Sequence, residues 1–214
     1  NLFTIVLLFF ISITLTETSN AETKPDYSQL QHSQLQQLLA PFSKIQSIKL
    51  PFQEKRFSLF LKQAKESHGF IEYTQPDLFI KQILSPASKK FIIKNEQLTI
   101  INNNEKTQVL SLDDYPQFKQ FKALFSGLLQ GKASELTRYY NYNITELSDN
   151  SIRLTLKSLI VDQFTQDNNT SSKQIDIIFE EQRIKKITMT GFAGERSEMS
   201  FDKALIKEYQ PDNT

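Results

Sequence analysis

From Tyr27 the apolar positions fall at helical spacing. Leu30, Leu35, Leu38 and Leu39 share one face, Gln and Ser occupy the rest, and Ala40-Pro41 ends the pattern. The period then drops to two: Ile48, Leu50 and Phe52 alternate with Ser47, Lys49 and Pro51, as in a strand with one face buried. Two extended apolar-rich runs within residues 67–80 meet at a Pro76-Asp77 corner, where proline fixes its own φ and restricts Gln75. Short strands follow at Phe91-Ile92-Ile93, Leu98-Thr99-Ile100-Ile101 and Val109, Leu110, Leu112, with Asn102-Asn103-Asn104 as a turn. Residues 113–140 break the alternation. Phe118, Phe121, Leu124, Phe125, Leu128 and Leu129 recur at steps of three and four between Pro116 and Gly131, which predicts a helix with a wide apolar stripe, and a second short helix is expected over 133–140. Alternation returns with Ile152, Leu154, Leu156, then Ile175, Ile177, Phe179, then Ile187, Met189, then Met199, Phe201, separated by turns at Ser148-Asp149-Asn150, residues 167–172, Glu180-Glu181-Gln182 and Ala193-Gly194. The pattern predicts a mainly β (α+β) single domain: an antiparallel meander, apolar on one face, with an N-terminal helix and a mid-chain helical hairpin laid on that face.

Residues 1–21 stand apart. Their apolar run is too short to span a bilayer, and Ser19-Asn20-Ala21 puts small residues ahead of Glu22, the layout of a secretory signal peptide. The expectation is export to the periplasm and a soluble domain over residues 22–214. The chain has no cysteine, so neither a disulfide framework nor a thioether-linked lipid is available, and its core must carry its stability. Seventeen Phe and no Trp make that core rich in flat, purely apolar side chains. A formal charge of +1 offers no electrostatic case for nucleic acid.

Catalytic chemistry is poorly provided for. His32 lies on the polar side of a Gln-rich helix and His68 has no second ligand at metal spacing. Asp113-Asp114 suits the start of a helix, where acids complement the dipole. There is no Gly-rich phosphate loop and no G-x-S-x-G elbow. Two glycosylation-type triplets, Asn143-Ile144-Thr145 and Asn168-Asn169-Thr170, are short enough to arise by chance. No enzyme, metal or cofactor is expected, and apolar surface is what remains to explain.

Several of these stretches resemble the LolA family, the periplasmic carriers of outer-membrane lipoproteins. Gly69 and Pro76 stand at the family's spacing, Pro76-Asp77-Leu78-Phe79 resembles its Pro-Asn-Leu-Phe segment, and Phe52-Gln53-Glu54-Lys55 is similar to its Phe-x-Gln segment. Ser85-Pro86, with the strands after it, resembles the following run. The segment from Leu124 to Gly131 and the tail through Gly194-Glu195-Arg196-Ser197 resemble a LolA-related branch associated with lipid or aryl-polyene export. The resemblance implies a strongly curved antiparallel sheet, an incomplete β-barrel, closed on its concave side by a helical lid at about residues 113–140. It also implies that Phe79 lies beside the cavity. Before the proline the family has an arginine that bonds the lid; Gln75 stands there instead and is the lid-contact candidate.

The function expected on this basis is a carrier that binds acyl chains of a lipoprotein or another lipid and ferries them from inner to outer membrane. Cavity-lining candidates are Phe52, Phe70, Tyr73, Phe79, Ile93, Leu154 and Leu156 from strands and Phe121, Phe125 and Leu128 from the lid. A one-residue slip in register would move any strand's set to the other face. Implied partners are an inner-membrane ABC-type release complex and an outer-membrane acceptor, met by a monomer. The alternative is a periplasmic scaffold or adaptor of the same fold, with a filled core, that binds protein partners.

Overall fold

The computed structural model describes residues 27–103, 106–114, 116–159, 174–191, 195–203 and 205–208. The expected signal peptide, the Asn168-Asn169 loop and its sequon, and the Ala193-Gly194 turn lie outside these residues, as do the side chains of Leu30 and Phe118.

Helix α1 (Tyr27–Leu39) runs into a 3-10 turn (Ala40–Lys44), where Pro41 ends it as expected. The strands are β1 (Ile45–Phe57), β2 (Lys65–Thr74), β3 (Leu78–Ser85), β4 (Lys89–Lys94), β5 (Gln97–Asn102) and β6 (Thr107–Ser111). After helices α2 (Pro116–Leu129) and α3 (Ala133–Thr137) come β7 (Tyr140–Glu146), β8 (Ile152–Ser158), β9 (Gln174–Glu180), β10 (Arg183–Thr190), β11 (Arg196–Phe201) and β12 (Leu205–Glu208). These strands pair antiparallel throughout.

Among the described residues twelve strands form one curved, unclosed sheet in the order β6-β5-β4-β3-β2-β1-β11-β10-β9-β8-β7, with β12 beside β1. Two meanders meet at β1. One runs outward from it through β6, and the other returns inward from β7 to β11, whose Phe201 sits opposite Phe52. The second half of β1 pairs with β11 and the first half with β12, which is why this strand is 13 residues long. The sheet's two edges, β6 and β7, are joined by the helical insertion, so the chain must cross the open sheet to get from one edge to the other.

The sequence pattern reaches most of these elements. Two strands escape it: β7, whose first residue, Tyr140, the pattern assigns to the end of a helix, and the short β12. In β7 the inward residues Tyr140, Tyr142 and Ile144 alternate with Asn141, Asn143 and Thr145, and Asn suppresses the strand signal. The helical run over 113–140 divides into a 3-10 turn at Leu112–Asp114, α2 and α3. Gly131 makes the break with φ of +67°, and a Cβ there would lie 2.7 Å from the Leu39 carbonyl oxygen, so the α2–α3 corner rests directly on the end of α1. Tight approach also fixes Gly69: a Cβ would lie 1.8 Å from the Gln82 carbonyl oxygen, beside a register shift between β2 and β3. The Pro76-Asp77 corner joins β2 to β3, with the Gln75-Pro76 bond cis.

Candidate functional site

The inner face of the sheet is built by alternation along the strands, interrupted at a few register shifts. Tyr73 of β2 pairs with Phe79 of β3, which pairs with Ile93 of β4, which pairs with Leu98 of β5, giving one continuous row of buried side chains. Helix α2 lies on this row. The Phe79 ring meets the Phe121 ring edge-on at 5.2 Å and the Phe125 ring at 4.8 Å, and the two helical rings are 4.7 Å apart. Such tilted and edge-on pairs add about 0.5–1.5 kcal/mol each to what burial provides.

Phe52, Tyr73, Phe79, Ile93, Leu154, Leu156, Phe125 and Leu128 are all buried in one contiguous core, and Phe121 is half-buried against it. Leu154 and Leu156 sit on the second meander, opposite Ile177 and Ile175. Phe70 does not join them. It stands three residues from Tyr73, and a pleated strand puts positions an odd number apart on opposite faces. It lies half-buried on the convex side, with the Lys49 ammonium 3.7 Å above its ring.

Gln75, the lid-contact candidate, is bonded to the sheet. It donates its amide N–H to the Ile45 carbonyl oxygen at 2.8 Å, tying the β2–β3 corner to the start of β1. The residue that reaches this corner from the helical insertion is Gln130, just past α2. Its amide nitrogen donates to the Pro76 carbonyl oxygen at 3.0 Å and to the Tyr73 hydroxyl, which itself donates to Pro76 at 2.6 Å. Sequence reasoning places a polar contact at this corner but on the wrong chain segment, because a glutamine's partner across 54 residues leaves no periodic signal. At the other end of α2, Gln120 donates to the Ser158 hydroxyl at 2.6 Å and Lys122 pairs with Glu96. The helix is thus tied by side chains to both meanders. Gln130→Ala removes one tie while Tyr73 keeps Pro76, so a stability loss of about 1 kcal/mol is expected. Hydrogen exchange should be faster in the α2 amides and unchanged in β9 and β10.

Farther along β1 the inner face turns polar. Glu54 is 1% exposed and accepts from Lys81 Nζ at 3.0 Å, Arg56 Nε at 3.0 Å and Ser197 Oγ at 2.6 Å. Burial pushes its carboxyl upward, but the Lys81 and Arg56 charges and the donated hydrogen bonds outweigh that and hold it at about 2, below the ordinary 4.5. Burial pushes the Lys81 ammonium downward, an effect that Glu54 opposes. Because the folded pKa of Glu54 is depressed, its contribution to stability is full above about pH 4.5 and is lost as pH falls towards 2. Glu54→Gln should therefore flatten the loss of denaturant midpoint between pH 4.5 and 2, compared with the unchanged chain.

An open groove of about 830 Å³ separates α1 from the β7–β9 edge, walled by Leu38, Pro41, Ile144, Ile152 and Phe179. Among the described residues no cluster of three His, Cys, Asp or Glu could hold a metal ion, and no helix is long and apolar enough to cross a membrane.

A family model described as outer membrane lipoprotein carrier protein LolA matches residues 43–213. A search of curated proteins returns no match. Similar solved structures include a LolA superfamily protein from Nitrosomonas europaea, with 12% identity and a TM-score of 0.40 over 82% of this chain and 94% of the other. An uncharacterized conserved protein from Thermus thermophilus gives 7% identity and a TM-score of 0.47 over 85% and 94% of the two chains. A structure of the Pseudomonas aeruginosa MucA/MucB complex gives 12% identity and a TM-score of 0.42, over 85% of this chain and 59% of that one.

Proposed function

The chain belongs to the LolA family of outer membrane lipoprotein carrier proteins, and on that premise we propose that it is a periplasmic carrier that holds the acyl chains of a lipoprotein or another lipid between the inner sheet face and helix α2. The observation that carries this reading is the Phe79–Phe121–Phe125 contact: the apolar row of an unclosed sheet is covered by a helix held through side chains alone at that point. Such a cover can move aside without breaking any strand ladder, because α2 belongs to a connection between the sheet's edges.

Energetics favour a displaceable cover. Burying about 16 methylenes from water at about 0.8 kcal/mol each gives a gross term on the order of 12 kcal/mol, enough to trap a cargo permanently. Beneath α2, however, Phe79, Phe125 and Leu128 are already out of water. The cargo replaces packing of the lid rather than contact with solvent, and the net gain shrinks accordingly. An inner-membrane ABC-type complex would supply the cargo and an outer-membrane acceptor would remove it. The Glu54 cluster fits a structural role, since Lys81 and Ser197 both donate to its carboxylate and no buried side-chain polar atom among the described residues is left without a partner.

Native mass spectrometry of the purified chain, followed by titration of the delipidated chain with a displaceable fluorescent fatty acid, tests the proposal. Co-purified lipid or saturable, competed binding is the expected result. Absence of both, together with capture of a protein partner on the convex face or a sheet edge, would favour the adaptor reading.

A further inference from the structure

The inner face changes chemistry along its strands. On β1 the inward positions run Leu50, Phe52, Glu54, Arg56; on β2, Ile71, Gly69, Ser67, Lys65; on β4, Ile93, Phe91, Lys89. Register sets Arg56 opposite Lys65 and Lys89 opposite Ile83. The end of the face remote from Phe79 is therefore cationic, and four residues of β4, about 13 Å, separate Lys89 from Ile93 under the lid.

These cations converge on an open pocket of about 530 Å³ whose floor includes Ile83 and Phe91. Among the described residues no carboxylate lines it. The nearby Glu54 is already engaged by Lys81 and Ser197, and Arg56, which also lines the pocket, meets it through Nε. The Lys89 ammonium lies 5.0 Å from the Phe91 ring, and neither it nor Lys65 has an ion pair among the described residues. Two lysines thus face a recess that offers them no carboxylate among the described residues, and a bound anion would supply the missing counter-charge.

We propose that this pocket is a head-group subsite for a phosphate-bearing amphiphile, with the tail passing over Ile83 and Phe91 towards Ile93 and Phe79. The assignment rests on the carrier reading and narrows its cargo. A second observation points the same way. The β1–β2 hairpin, whose last strand pair before the turn is Arg56 and Lys65, ends in a tip where Leu59 and Phe60 are 77% and 90% exposed and Leu61 is also exposed. A ligand reaching this end of the sheet meets apolar side chains and cations side by side, the two chemistries an acidic lipid combines.

Calorimetric titration of the delipidated full chain tests this with three probes: dodecyl phosphate, neutral 1-O-dodecylglycerol and inorganic phosphate. Dodecyl phosphate should bind roughly tenfold more tightly than the glycerol ether, a preference that shrinks with added salt. Lys65→Gln combined with Lys89→Gln should abolish that preference, with the glycerol ether still binding and the thermal midpoint unchanged. Equal binding of the two amphiphiles, or a preference that survives the double substitution, would overturn the subsite and leave the carrier reading standing. Failure of both amphiphiles to bind would overturn both. Inorganic phosphate binding as tightly as dodecyl phosphate would overturn the assignment to an amphiphile and mark the pocket as a site for the free anion.

Discussion

Glu54→Leu is expected to cost about 3–5 kcal/mol of stability, because it leaves the Lys81 ammonium buried without a counter-charge. Lys81 is only 7% exposed, and its other neighbours, Met199 Sδ at 3.7 Å and the Phe52 ring at 5.0 Å, are poor substitutes for a carboxylate. Arg56 adds nothing to this cost, since its side chain is largely in solvent and is rehydrated when Glu54 is removed. Combining Glu54→Leu with Lys81→Met should restore most of the loss, because a buried pair replaced by apolar groups of similar volume is close to neutral. Urea midpoints of the two variants decide the matter. A loss under about 1 kcal/mol in the single variant would mean that water reaches Lys81, and that this stretch of the inner face is wetter than its burial indicates.

The second large effect is expected at Phe79. Phe79→Ala removes the ring on which Phe121 and Phe125 rest, and core Phe→Ala changes cost about 3–5 kcal/mol. An ordinary core residue would behave the same way, so stability alone says nothing about carriage. The distinction lies in what a ligand does next. A cavity lined by Ile93, Phe121 and Phe125 would be apolar, and apolar cavities stay dry and accept hydrocarbon. Palmitate should therefore raise the thermal midpoint of Phe79→Ala by more than it raises that of the unchanged chain. If palmitate stabilises neither protein, Phe79 is a packing residue and nothing more.

How far the sequence goes towards this site depends on the kind of signal each residue leaves. Alternation places Phe52, Phe79, Ile93, Leu154 and Leu156 on the buried face, and steps of three and four place Phe121, Phe125 and Leu128 on the covering helix. Those are periodic signals, and they survive into the structure. Phe70 fails because Tyr73 is three residues away on the same strand, so the two cannot share a face, and parity alone excludes one of them. The reach of Gln130 to Pro76 and the pairing of Glu54 with Lys81 leave no periodic trace. A polar residue at an inward position, such as Glu54 after Leu50 and Phe52, is the one warning that a pattern provides, and here it marks where the inner face turns from apolar to charged. The crossing of the insertion from β6 to β7 is equally out of reach, since it depends on which strands become edges.

Carriage as proposed puts an acyl chain between the inner sheet face and helix α2. The sequence has no Trp, so Phe125→Trp would place a single indole beside Phe79 and Phe121 at that boundary. Fluorescence of this variant during titration with a bromine-substituted fatty acid reports contact at that position. Carriage beneath α2 predicts saturable quenching, reversed by unlabelled palmitate. Binding of the fatty acid with no quenching of the introduced indole, or no binding at all, would contradict it.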